Sequence, residues 1–304
     1  MKRFLRYTGF GLLGLLGVAV LFVGAAYALS AARLAKTYPT TVSAVAMRTD
    51  PAAVADGRHI TEIRGCNDCH GADYGGKVMI DDAMLGRVVA ANLTPGGRVG
   101  TWTDADFTRA IRQGIAPDGK PLLIMPSHEY RHLSDADVGA LIAFLRSLPA
   151  VRRALPEHHV GPLGRILHVT GGAPLVAAEL LAEAEVNGQA PHAGPAEPGP
   201  TAAYGAYLAT SCLGCHGDDY SGKTIVGAPP GTPPAANLTP DRATGLGAWD
   251  EADFKTLLRS GTRPDGSKVH PFMPIAMTSK LTDEEVAALW AYFSSLKPVN
   301  APGR

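Results

Sequence analysis

The chain has 304 residues, enough for about two ordinary domains, and its 28 Lys and Arg balance its 28 Asp and Glu. This neutral composition gives no basic field of the kind that nucleic-acid binding needs, and no acidic tail of the kind typical of disorder. The 35 Gly and 24 Pro predict loop-rich domains, which would need a large bound group to complete their cores.

Residues 1–30 have the pattern of a membrane anchor. Lys2, Arg3 and Arg6 precede 21 uncharged residues, Gly9 to Leu29. At about 1.5 Å per residue a helix of that length crosses a hydrocarbon core of about 30 Å, and the basic residues before it predict that all later residues are exported. The alternative is a signal peptide cleaved near Ala26-Tyr27-Ala28, although the apolar region of a signal is usually only about 7–15 residues long.

The rest of the chain contains an internal repeat. The following pairs of segments match: Asn92-Leu93-Thr94-Pro95 with Asn237-Leu238-Thr239-Pro240, Trp102 to Gly119 with Trp249 to Gly266, and Met125-Pro126 with Met273-Pro274. Within the second pair the Trp, Phe, Gly and Asp residues keep the same spacing. The sequence therefore predicts two copies of one domain, at about 51–151 and 201–299.

Each copy is predicted to be helical. Helix starts are indicated at Asp50, Thr103, Ser134, Asp250 and Thr282, and glycines at 114 and 261 indicate helix ends. Val138, Leu141, Ile142 and Leu145 share one helical face, as do Val286, Leu289 and Phe293. No long alternating strand pattern appears, so we predict an all-α chain of two tandem domains behind one transmembrane helix.

Residues 152–200 separate the copies and are predicted to be a linker laid over both domains. This segment contains Gly171-Gly172, a helical stretch near 176–186 and a proline-rich stretch from Pro191 to Pro200. It is long for a connection within a compact protein, and it suggests no chemistry of its own.

All four cysteines lie in two Cys-x-x-Cys-His motifs, Cys66-Asn67-Asp68-Cys69-His70 and Cys212-Leu213-Gly214-Cys215-His216. This is the attachment signal for c-type haem, in which two thiols bind the porphyrin and the adjacent histidine binds its iron. Zinc binding and a thioredoxin-like redox site are the alternatives. Because the motifs stand at the same place in each copy, we predict two haem c groups.

A sixth iron ligand is predicted at Met125 and Met273. They lie 59 residues after Cys66 and 61 after Cys212, and each precedes a proline. His/Met ligation is common in cytochromes c. Met277, Met79 and Met84 have no matched partner in the other copy. His128, His132 and His270 are also unmatched, and His128 or His132 is the main rival at the first site.

The order of helix, Cys-x-x-Cys-His, Asn-Leu, Met-Pro and final helix resembles cytochromes c with the haem motif near the N-terminus. The resemblance implies that the carbonyls of Ala91 and Ala236 orient the histidines and that Leu93 and Leu238 pack on the haems. It also implies that the first and last helices cross at a small residue, Gly57 facing Phe144 or Leu145, and Gly205 facing Tyr292 or Phe293. Trp102 and Trp249 could edge the haem or simply pack at a helix start.

The tandem motifs are also similar to the multihaem cytochrome c subunits of bacterial membrane-bound alcohol, gluconate and aldehyde dehydrogenases, which typically carry three haem motifs where this chain has two. The resemblance implies a non-enzymatic electron carrier in the inner membrane of a bacterium, single-pass, with its haem domains in the periplasm. Its partners would be a dehydrogenase or quinol-oxidising complex on one side and an oxidase or soluble cytochrome on the other. The alternative is a dihaem redox enzyme, either peroxidase-like or thiosulfate-oxidising, which would need an open iron position.

Overall fold

A computed structural model of the chain describes residues 2–39, 41–42, 45–186, 197–229 and 231–301. One long N-terminal helix is followed by two similar helical domains. The predicted all-α class is confirmed, with the addition of one small sheet. Of the proline-rich stretch, residues 191–196 lie outside the described residues.

The N-terminal helix α1 covers Lys2–Ala35 and is apolar along most of its length. Its large side chains, among them Leu12, Leu21 and Phe22, are exposed rather than packed against the rest of the chain. A helix that is apolar on all sides and not buried in protein is typical of a membrane span. By length and composition α1 can cross a membrane, as the sequence predicts.

The first domain contains five helices, and the three longer ones start at the predicted caps Asp50, Thr103 and Ser134. The five helices are α2 (Pro51–Ile63), α3 (Cys66–His70), α4 (Asp104–Gln113), α5 (Ser127–Tyr130) and α6 (Asp135–Ser147). The Asp50 carboxylate accepts a hydrogen bond from the N–H of Ala53, and Thr103 forms a reciprocal capping box with Asp106. Gly114 ends α4 in the left-handed conformation, with φ of 68°.

A small antiparallel sheet, formed by the first domain and the start of the linker, was not predicted. Its strands β1 (Lys77–Asp82), β2 (Gly86–Ala90) and β3 (His159–Val160) lie in that order. The side chains of β1 are exposed along its whole length, so its sequence has no alternation of buried and exposed residues to indicate a strand.

The described part of the linker packs on the first domain and on the end of α1. It contains α7 (Pro162–Thr170), which contacts α1, and α8 (Glu183–Val186). The predicted helical stretch near 176–186 is broken into a 3-10 turn, Ala177–Glu179, and the one-turn α8. The N–H of Ile124 donates to the carbonyl of Leu175 at 2.8 Å, so the linker pairs with the segment that leads to Met125.

The second domain repeats the first without the sheet. Its helices are α9 (Ala202–Ala209), α10 (Leu213–His216), α11 (Glu251–Ser260), α12 (Ile275–Thr278) and α13 (Asp283–Ser295). Capping boxes at Asp250 and Thr282 begin α11 and α13, and Gly261 ends α11 with φ of 66°. A 3-10 turn, Thr210–Cys212, leads into α10.

In each domain the first and last helices cross at a glycine. A Cβ on Gly57 would collide with the carbonyl of Ala140 and lie 2.8 Å from the Cβ of Phe144. A Cβ on Gly205 would collide with the carbonyl of Ala288 and lie 2.7 Å from the Cβ of Tyr292. The expected crossing is therefore present, with Phe144 and Tyr292 as the facing side chains. The buried cores form around these crossings, and the predicted faces of α6 and α13 lie inside them.

Candidate functional site

The two cysteine motifs lie at equivalent short helices: the first forms α3, and the second consists of Cys212, which precedes α10, and α10 itself. Cysteines three residues apart on a helix lie on the same side, so both thiols of each pair can reach one bound group. Cys66, Cys69 and His70 border one cavity, and Cys212, Cys215 and His216 border another. The structure thus brings the predicted attachment residues of each copy together.

Each histidine is oriented by a backbone carbonyl. The Nδ1 of His70 lies 2.7 Å from the carbonyl oxygen of Ala91, and the Nδ1 of His216 lies 2.7 Å from that of Ala236. A carbonyl only accepts, so Nδ1 carries the proton and Nε2 keeps a free lone pair. Burial lowers the pKa of both imidazoles, and the hydrogen bond to the carbonyl offsets only part of this effect. The lowered pKa favours the neutral imidazole, which is the form that binds a metal.

The ligand set weighs against a zinc site. Among the described residues, no group of three or more His, Cys, Asp and Glu side chains is placed to hold a metal ion, whereas a structural zinc site uses four such ligands. Burial raises the pKa of the Cys66 thiol to about 12 and that of the Cys212 thiol to about 11. A thioether, which is uncharged, suits these buried surroundings.

Met125 and Met273 border the same two cavities as the histidines. Each is followed by a proline and a one-turn helix, and its carbonyl accepts an N–H, from Ser127 or from Ile275, at 2.8 Å. The Oγ of Ser127 in turn donates to the Ala110 carbonyl of α4 at 2.8 Å. These contacts hold the methionine loops against the domain cores.

Some of the rival ligands border the cavities and others do not. The described lining of the first cavity includes Met79 but not Met84, His128 or His132. Met277 and His270 do border the second cavity. However, the Sδ of Met277 lies 3.2 Å from where a Cβ on Gly65 would stand, so this side chain reaches the first domain. His270 accepts the N–H of Phe272 through Nδ1.

The cavity walls are predominantly apolar. The first cavity measures about 230 Å³ and the second about 550 Å³. Matched wall residues are Leu93 and Leu238, Trp102 and Trp249, Phe107 and Phe254. Two thiols, an imidazole with a free Nε2, a thioether and apolar walls are the set that a covalently attached haem requires, so the residues present fit that group.

Two family models match the chain. The model described as cytochrome c matches residues 202–297, and the model described as cytochrome c oxidase, cbb3-type, subunit III, matches residues 52–145. The chain is a c-type cytochrome with two cytochrome c domains. Electron transfer by c-type haem is the activity that this membership supports.

Several curated proteins are similar to this cytochrome. The cytochrome c subunit of alcohol dehydrogenase (quinone) from Gluconacetobacter polyoxogenes is 39% identical over 33% of the chain and 23% of its own length. The fructose dehydrogenase cytochrome subunit from Gluconobacter japonicus is 36% identical over 40% of the chain and 27% of its own length. The gluconate 2-dehydrogenase cytochrome c subunit from Pantoea cypripedii is 36% identical over 29% of the chain and 22% of its own length. The matches thus span about a quarter of the length of these relatives.

Two tyrosines of the cytochrome were missed by the sequence reasoning. Tyr74 and Tyr220 stand four residues after His70 and His216 and have φ of 55° and 58°, a strained conformation for a bulky residue. The carbonyl of Tyr74 accepts the N–H of Leu93, and the carbonyl of Tyr220 accepts the N–H of Leu238, both at 2.8 Å. They tie the histidine loop to the Asn-Leu loop. Their recurrence at the same spacing was the signal that could have indicated them.

Proposed function

We propose that the chain carries electrons through two covalently bound haems c with His/Met ligation. Cys66 and Cys69 would hold one haem between His70 and Met125. Cys212 and Cys215 would hold the other between His216 and Met273. When bound, each haem supplies a one-electron ferric/ferrous couple. His70 and Met125 would bind one iron, His216 and Met273 would bind the other, and apolar side chains would surround each group, so neither site would be left open to a substrate.

The observation that carries this proposal is that the two cavities share one matched set of donors. Each combines a thiol pair, a neutral imidazole whose Nδ1–H is held by a carbonyl, and a loop methionine. Identical ligand sets support a carrier, because an enzyme of the dihaem peroxidase-like or thiosulfate-oxidising type needs an open or unusual iron position.

The proposed setting follows from α1 and from the relatives. Helix α1 would anchor the chain in the inner membrane of a bacterium by a single pass, with both domains in the periplasm. The relatives are named as cytochrome subunits of dehydrogenases, which supports a dehydrogenase, or a quinol-oxidising complex, as the electron donor. An oxidase or a soluble cytochrome would accept the electrons.

Ferric absorption spectra test the ligand set. Met125→Ala and Met273→Ala should each remove about half of the red-region band that arises from sulfur bound to ferric iron, and the double variant should remove all of it. Met84→Ala serves as the control in the first domain because its side chain is 53% exposed and does not border the described cavity. Met277→Ala serves as the control in the second domain, and both controls should keep the full band.

Haem staining of a denaturing gel tests attachment in the same samples. The stain should persist in Cys66→Ala/Cys69→Ala at about half intensity and vanish when all four cysteines are replaced. A resting high-spin haem that binds cyanide rapidly would contradict the carrier proposal for that domain and would favour the enzyme.

A further inference from the structure

One buried cation borders both cavities. Arg64 directly follows α2 and is only 6% exposed. It lines both the first and the second cavity. Within the described linings of the two cavities, no other residue is shared. The equivalent position of the second copy, two residues before its first cysteine, is Thr210. Arg64 is therefore not part of the repeated design.

Contacts from both domains hold Arg64 in this position. Its Nη1 donates to the carbonyl of Leu208 at 3.5 Å, and its guanidinium lies 5.9 Å from the ring centre of Tyr207. Its own carbonyl accepts the hydroxyl of Tyr130 at 2.9 Å. Among the described residues its Nε is buried and has no hydrogen-bond partner. A buried guanidinium with so few partners is costly to keep, which indicates a role beyond packing.

The charge of Arg64 acts at both attachment motifs. Burial raises the pKa of the Cys66 and Cys212 thiols, and in each case the charge of Arg64 opposes that rise. The guanidinium is therefore within electrostatic reach of both attachment sulfurs, which are thioethers once a haem is bound.

Glu129 is an acidic group that interacts electrostatically with Arg64. Its carboxylate packs against Gly214 between the second pair of cysteines. Burial raises the pKa of Glu129, against the charges of Arg64, Lys223 and Arg131, which lower it. Arginine keeps its charge under all physiological conditions, so Arg64 is a fixed positive charge beside both cavities, and an ionised Glu129 would offset part of it.

We propose that Arg64 tunes the two haem sites together: its buried positive charge, shared by both cavities, stabilises the reduced state of each and raises both reduction potentials. The proposal rests on the proposed function. Reduction of either haem adds one electron and makes that site more negative by one charge. A cation shielded from water stabilises this change more than an exposed one would, because screening is weak in a buried interface. Net charge near the group is one of the factors that set haem potentials.

The experiment is a spectroelectrochemical titration of the full-length protein and four variants. Arg64→Gln removes the charge, Arg64→Met removes it while keeping the aliphatic volume, and Arg64→Lys restores it. Tyr207→Phe is the control for a loosened interface, since it removes a hydroxyl that contacts Asp137 and the Ser134 N–H but changes no cation. Both potentials should fall in the Gln and Met variants, return towards the wild-type values in the Lys variant and stay unchanged in Tyr207→Phe.

The proposal is overturned if the potentials do not move, if only one of them moves, or if Lys and Gln shift them equally. Haem stain and the sulfur-to-iron band are recorded on the same samples. Missing haem or a missing band in the wild-type protein would mean that the proposed function fails. An intact band with unmoved potentials would mean that only the role of Arg64 fails.

Discussion

The side chain of one asparagine in each domain holds the loop that orients the axial histidine. The Nδ2 of Asn92 donates to the carbonyl of Val151 at 2.6 Å, and its Oδ1 accepts the N–H and the hydroxyl of Thr94 at 2.9 and 2.7 Å. Asn237 makes the matching contacts with Val299 and Thr239. Since Asn92 follows Ala91 directly, these bonds fix the carbonyl on which His70 depends.

Replacement of Asn92 should therefore destabilise the first domain. Asn92→Ala leaves the Val151 carbonyl and the Thr94 N–H buried without this partner, which should lower the free energy of unfolding by about 2–3 kcal/mol. Guanidinium denaturation followed by circular dichroism measures the change. Thr101→Ala, at an exposed hydroxyl near the same loop, is the control and should cost less than about 0.5 kcal/mol. Equal effects of the two substitutions would contradict the role of Asn92.

Residues of the site differ in how far the sequence could indicate them. Cys66, Cys69 and His70 are adjacent in the chain, so a short motif is enough to find them. The repeat indicated Met125, because position within a copied unit is visible without a structure. Arg64 was not found, since its significance comes from the packing of one domain on the other, and that packing has no local sequence pattern.

At the scale of elements, helices were predictable where their signals are local. Caps such as Asp50 and Thr282 depend on hydrogen bonds between residues three apart, which the sequence displays directly. The hairpin β1–β2 and the docking of α7 on α1 depend on contacts between distant segments. The exposed side chains of β1 leave no alternation to detect, so these elements could not be predicted from pattern.

The helix crossing at Gly57 should tolerate no larger residue. In Gly57→Ala the new methyl would meet the Ala140 carbonyl of α6, and overpacking of this kind typically costs about 1–3 kcal/mol. Denaturation curves should show this loss for Gly57→Ala and, at the matching crossing, for Gly205→Ala. Ala55→Ser, exposed on the same helix, is the control and should cost about 0.5 kcal/mol or less. A neutral Gly57→Ala would mean that the helices separate without cost.

At the scale of the whole molecule, the two domains are joined by contacts as well as by the linker. Ile63 of α2 lies in the core cluster of the second domain. The Nε2 of His59 lies 2.8 Å from a carboxylate oxygen of Glu285, the residue that completes the capping box of α13. Arg64 lies in the same interface, and Glu129 of the first domain packs against Gly214 of the second cysteine motif. The relative position of the two proposed haems is therefore set by packing rather than by a flexible connection.

The contact between His59 and Glu285 should make this interface sensitive to pH. The hydrogen bond with Glu285 raises the pKa of His59, despite burial, which lowers it. Burial pushes the pKa of Glu285 up, but its hydrogen bonds with His59 and the Thr282 N–H bring it below the usual range. A raised histidine pKa stabilises the folded state fully below about pH 6.5, the unfolded value, and this stabilisation is lost as pH rises through the folded pKa. The lowered pKa of Glu285 contributes above about pH 4.3 and is lost as pH falls through its folded pKa.

The pair should therefore be strongest between about pH 4.5 and 6.5. We expect His59→Gln to lower the free energy of unfolding by about 1 kcal/mol at pH 6 and by clearly less at pH 8.5. Denaturant unfolding of both proteins at the two pH values measures this difference. Subtracting the free energy of unfolding of the variant from that of the wild type cancels the contributions of the other histidines, because both proteins contain them. His159→Gln, at an exposed histidine of β3, is the matched control and should show no such dependence. A neutral hydrogen bond would persist from pH 6 to pH 8.5. The charged pair would therefore be ruled out if the free energies of unfolding of wild type and His59→Gln differed by the same amount at both pH values.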